Sequence, residues 1–131
     1  MKQMKKITAI LLVMIFCATA AFAQAGKPAT GNDWIKVGRK AHVQLVNDFI
    51  TQMKTEGVTI SKGAEFYCDR LDRLYVKKPK LLPEPVWKVL KTSMIMEYDW
   101  KVKGRDSDAI AKEWLDEKTY KKNKERRAAQ R

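Results

Sequence analysis

EPVWKVLKTSMIMEYDWKVK, residues 84–103, is the stretch on which the reading of this chain turns. Placed on a helix, its apolar members Val86, Trp87, Val89, Leu90, Met94, Met96, Tyr98 and Trp100 spread over roughly 200° of the circumference. A helix lying on one surface needs a narrower stripe. An arc this wide predicts a helix covered by neighbours on more than one side.

Working outward, Pro79, Pro83 and Pro85 enforce a loop in the preceding KPKLLPEP. Downstream, Gly104 ends the helix and Asp106 caps another, whose stripe is Ile110, Ala111, Trp114 and Leu115. That stripe loses phase at Asp116. Upstream, Ser61 is a suitable N-cap for a helix over residues 61–77. Ala64, Tyr67, Leu71, Leu74 and Tyr75 share its apolar face, with Glu65, Asp69, Arg70, Asp72 and Arg73 opposite. Earlier still, residues 33–56 place Trp34, Ile35, Ala41, Leu45, Val46, Phe49 and Met53 within about 140° of arc, with Asp33 as cap and Gly57 as stop. No strand-like alternation, internal repeat or low-complexity tract is legible. The pattern predicts an all-α domain over residues 33–116, a four-helix bundle or a compact orthogonal array.

The first 23 residues have the three-part pattern of a secretory signal: Lys2, Lys5 and Lys6, an uncharged run from Ile7, and Ala21 and Ala23 at peptidase spacing. Cleavage after Ala23 would leave 108 of the 131 residues, and the loss of three lysines lowers the net charge from +12 to +9. The run is short for the roughly 20 residues of a spanning helix, which argues against an anchor. Met14, Ile15 and Phe16 before Cys17 are too large for a lipidation site. The expectation is a periplasmic or secreted protein with no transmembrane segment in the mature chain. Residues 24–32, QAGKPATGN, read as a flexible linker.

The chain ends YKKNKERRAAQR, with six basic residues against Glu125 and no apolar stripe. Residues 117–131 therefore predict a basic tail, a separate fraying helix that is mobile beyond about Lys124, because it cannot anchor itself by burial. Its Lys121, Lys122, Lys124, Arg126 and Arg127 are candidate contacts for an anionic surface, as is the Lys77, Lys78, Lys80 cluster.

Several single residues stand out. His42, the one histidine, falls mid-stripe on its helix and is expected to be buried. Glu97 projects into the apolar arc of residues 84–103, where an isolated carboxylate is costly. Either Lys101, four residues on, pairs with it, or His42 does; a polar core of His42, Glu97 and Lys101 is the candidate. Cys68 is the one cysteine left after processing. It sits half inside an apolar face and reads as a free thiol, with an intermolecular disulfide as the alternative. Phe66, an aromatic among charges, should be covered by the tail or by a partner.

No haem-attachment, phosphate-loop, zinc-protease or nucleophile-elbow motif is present, and no metal, cofactor or catalytic set is expected. Lys101 and Lys103 occupy positions where a calcium loop would need ligands. The leading expectation is an exported helical binding protein, chaperone-, inhibitor- or immunity-like, whose partner is a protein with an acidic face or an anionic envelope surface. A polyanion binder acting through the tail (anionic lipid, lipopolysaccharide or nucleic acid) is the alternative. Export takes the chain away from most nucleic acid, and Trp87 and Trp100 point into the core arc, where bases could not stack on them. An enzyme is the least expected class.

Overall fold

A computed structural model describes residues 29–130. The proposed signal and residues 24–28 of the linker lie outside the described residues. The chain is mostly helical, with one small two-stranded sheet.

Residues 29–34 are pinned rather than loose. Thr30 and Asp33 form a reciprocal capping box that starts α1 (Gly31–Trp34), so Thr30, not Asp33, is the cap. The Val86 amide donates to the Ala29 carbonyl at 2.9 Å, tying this end to the start of the helix at residue 86. A Cβ on Gly31 would lie 2.5 Å from the Tyr75 ring and 2.9 Å from the Leu82 Cα, so only glycine admits this approach.

The predicted helix over 33–56 is broken after Trp34, and α2 runs Arg39–Thr55. Trp34 is fully buried, while its neighbour Ile35 is 59% exposed. Gly57, at φ +88°, turns the chain out of α2 as expected. Val58–Ile60 then forms β1, and α3 spans Ala64–Lys77 with Gly63 rather than Ser61 at its start. A 3-10 turn (Pro79–Leu81) leads to α4 (Val86–Met96).

Residues 84–103 do not form one helix. α4 stops at Met96, and Trp100–Val102 becomes β2, antiparallel to β1 with Ile60 opposite Trp100 and Val58 opposite Val102. The stop is a Schellman turn: the Tyr98 amide bonds the Ile95 carbonyl at 3.1 Å and the Asp99 amide bonds the Met94 carbonyl at 2.8 Å. Glycine usually fills the left-handed position of that turn, but here it is Tyr98, at φ +59°. Such a conformation costs about 1–2 kcal/mol for a residue with a Cβ. Tertiary contacts hold it: the Tyr98 hydroxyl donates to Asp108 at 3.1 Å, and the Arg127 guanidinium lies 3.9 Å from the ring centre. The expectation of no strands is thus corrected. Each strand has three residues, too few to show an alternation.

Asp106 caps α5 (Ser107–Trp114), and the loss of phase at Asp116 marks a real break, because Asp116 caps α6 (Glu117–Ala129). The core gathers buried side chains from α1 to α5 and both strands, among them Trp34, Leu45, Tyr67, Leu71, Leu90 and Met94.

The tail is the separate basic helix expected, to Ala129, but it is docked rather than fraying beyond Lys124, by polar contacts rather than an apolar stripe. Asn123 is 2% exposed, and its side-chain amide donates to the Met96 carbonyl at 3.1 Å. Arg126 and Arg127 reach the two oxygens of Glu97 at 2.6 and 3.3 Å. Arg127 also approaches the Met96 carbonyl, so cations meet the negative end of α4. Glu97→Ala should therefore release α6. Hydrogen exchange at residues 123–129 should speed up, with a global loss of about 1 kcal/mol, since the pairs are part-exposed. Unchanged exchange would mean α6 was never held there.

Candidate functional site

α3 and α4 approach each other far less closely than α2 and α3 do, and a cleft of about 550 Å³ opens along them. Its floor is apolar, with Leu74, Leu81, Val89 and Met96. Its rim carries six basic side chains, Arg70, Lys77, Lys78, Lys80, Lys88 and Arg126, against the carboxylates of Glu84 and Glu97.

The helices explain this arrangement. α3 turns its apolar stripe to the core, and its last turn brings Lys77 to the cleft mouth. The proline-rich turn adds Lys78 and Lys80. α4 contributes Val89 and Met96 from the edge of its wide arc, and α6 closes the end near Glu97 with Thr119 and Arg126.

The charge is uneven along the cleft. Arg70 pairs with the nearly buried Asp99 at 3.1 Å, Arg126 with Glu97, and Lys88 with Glu84 at 3.5 Å. Lys77, Lys78 and Lys80 are exposed and make no ion pair with the described residues. The net positive field is therefore concentrated at one end.

The predicted polar core of His42, Glu97 and Lys101 does not form. His42 is buried, but it stacks on Trp34 with ring centroids 3.7 Å apart and planes 1° from parallel. Its Nε2 lies 2.6 Å from the Trp34 carbonyl, which can only accept, so that nitrogen carries the proton. Its Nδ1 is 4.0 Å from Asp72, which also accepts from the Trp34 indole at 2.8 Å. Glu97 belongs instead to α6. Lys101 sits exposed on β2 opposite Thr59, because the helix that would have set it beside Glu97 has already ended.

Cys68 is fully buried and free. Burial pushes its thiol up to about 11, with Arg39 opposing and Asp72, Asp69 and Glu65 adding to the shift. It stays protonated at neutral pH, a poor nucleophile. Phe66, 40% exposed, meets the core residue Tyr67 edge-on with ring centroids 5.4 Å apart, while the Arg70 guanidinium lies 4.7 Å from its ring centre and the Lys62 amine 5.7 Å. Lys121, Lys122 and Lys124 are exposed on α6 and do not line the cleft; Lys121 pairs with Glu117 at 3.3 Å.

Sequence reasoning missed Lys91. Only 5% exposed, its amine lies 3.9 Å from the Trp114 ring and 4.9 Å from the Trp100 ring. Burial lowers it to about 8, opposed by the charge of Glu113. The signal was present, since Lys91 falls about 40° from both Trp87 and Ile95 on the helix.

Among the described residues, no cluster of three or more His, Cys, Asp or Glu could hold a metal, and no helix is long and apolar enough to cross a membrane. Comparison with known proteins finds no matching family model, no similar curated protein and no similar solved structure.

Proposed function

We propose that this is an exported binding protein that takes an anionic partner in the cleft between α3 and α4. The observation that carries the reading is the set of ammonium groups, Lys77, Lys78 and Lys80, that make no ion pair with the described residues and stand beside an apolar floor. Apolar lining with a few placed charges is the usual make-up of a recognition site. The polar groups nearest to catalytic chemistry are committed elsewhere: His42 to Trp34, Glu97 to two arginines, and Cys68 to the core.

The tail is the weaker binding element on this reading. Arg126 and Arg127 are occupied by Glu97, which leaves Lys118, Lys121, Lys122 and Lys124 as its outward basic side chains, Lys121 already paired with Glu117.

Two charge-reversal variants separate the alternatives. Lys77→Glu with Lys78→Glu and Lys80→Glu alters the cleft; Lys121→Glu with Lys122→Glu and Lys124→Glu alters the tail. Each is immobilised and compared with the parent for what it retains from envelope extract. The cleft variant should lose the retained species by about tenfold or more, while the tail variant keeps it. Loss in the tail variant alone would overturn this proposal in favour of a polyanion surface on α6.

A further inference from the structure

The uneven charge and the character of the cleft floor narrow the chemistry of its occupant. We propose, resting on the reading of the cleft as an anion-binding site, that it takes an anionic amphiphile with a single alkyl chain. The head group sits among Lys77, Lys78 and Lys80, and the chain lies along Leu74, Val89 and Met96.

Five observations support this. The cleft, at about 550 Å³, falls within the range of small-ligand sites, roughly 300–1,000 Å³. Its fifteen lining residues fall short of the roughly 20–30 that each side of a standard protein interface contributes. It is also elongated. Lys88 near one end of α4 and Glu97 just past the other are separated by about 14 Å at helical rise, the reach of a medium-length chain.

The charge suits one head group, not two. Arg70 and Arg126 at the far end are already neutralised by Asp99 and Glu97, so a second anion there would have to displace a carboxylate. Lysine ammonium groups are compact charges on flexible stems and accept a carboxylate or a phosphate without fixed geometry.

The floor disfavours a peptide. A bound segment brings amides and carbonyls that need partners once water is excluded. Most backbone groups of α3 and α4 bond within their own helices, the Met96 carbonyl bonds Asn123 of α6, and each hydroxyl along the cleft already makes one bond. Ser93 donates to the Leu90 carbonyl at 2.9 Å, Thr92 accepts the Trp114 indole at 3.0 Å, and Thr119 donates to Asp116 at 2.9 Å. An alkyl chain asks for none of these bonds, and the unbranched Met96 can reshape around it.

The test is calorimetric titration of protein purified from the envelope of expressing cells, at ligand concentrations below micelle formation. The probes are dodecanoate, dodecyl phosphate, dodecanol, dodecyltrimethylammonium, a short poly-glutamate and inorganic triphosphate. Dodecanoate or dodecyl phosphate should bind one per chain, at least about tenfold weaker in the triple lysine reversal and severalfold weaker in Leu74→Gln and Met96→Gln. The two floor variants guard against one failing to fold. Whichever of the two amphiphiles binds more tightly tells a fatty acid from a lipid phosphate. Binding of poly-glutamate or triphosphate through the three lysines, with nothing gained from a chain, would overturn the amphiphile and leave the anionic cleft standing. Binding of any probe indifferent to the lysine reversal, or no binding at all, would overturn both.

Discussion

Trp34→Ala is expected to lower the unfolding free energy by about 3–5 kcal/mol, the range for deleting a buried aromatic side chain. Trp34 is fully buried, stacks on His42, donates its indole proton to Asp72, and supplies the carbonyl that His42 bonds. Removing the ring opens a cavity against the histidine and leaves Asp72 with one donor fewer. Against a total stability of roughly 5–15 kcal/mol for a domain of this size, the loss is a large share. Trp34→Phe should cost less, because it keeps most of the ring and Asp72 is half-exposed, so water can replace the lost donor. Urea denaturation of the two variants checks this. A loss below about 1 kcal/mol for Trp34→Ala would mean that residues 29–35 are not part of the cooperative fold.

Lys91→Met should raise stability at pH 7, by about 1–3 kcal/mol. Burial lowers the folded amine to about 8 from its usual 10.5. Below pH 8 it is protonated in both states, and folding bears the whole cost of burying the charge. Between about pH 8 and 10.5 the unfolded chain binds more protons than the folded one, so the native protein gains stability as pH rises. The faces of Trp100 and Trp114 favour the charged form and hold the penalty below the full shift. Other groups act in the opposite direction: the Cys68 thiol, and the phenols of Tyr67 and Tyr75 driven up mainly by burial, cost stability as the unfolded chain ionises. The clean measurement is the difference between parent and Lys91→Met at matched pH. The gap should be widest at pH 7 and close towards pH 10. A constant gap would show that the Lys91 amine is not desolvated.

The limits of the sequence show in particular elements. The stripes on residues 39–55 and 64–77 were legible because apolar side chains recur with the period of a helix, and burial of those side chains forms α2 and α3. Asp106 was legible because a cap is a local bond between near neighbours, and the break at Asp116 because the apolar stripe loses phase there. Glu97 was recognised as out of place, but its partners are about thirty residues away on α6, a separation at which spacing carries no information.

By itself, then, the amino-acid order determined the helical class, the excess of positive charge, the cap at Asp106 and the burial of His42. The tertiary structure decided the rest. It holds Tyr98 in a left-handed turn without glycine, through Asp108 and Arg127. It thereby ends α4 early and turns Trp100 into a strand residue. It docks α6 through Asn123, Arg126 and Arg127, contacts that leave no apolar periodicity to read. It also sets Lys77, Lys78 and Lys80 in one cleft with Val89 and Met96, because the proline turn runs directly from the last turn of α3 towards α4. Periodicity reports which side chains leave water. Which polar groups meet across the fold depends on where the helices stop, and that is settled by long-range bonds.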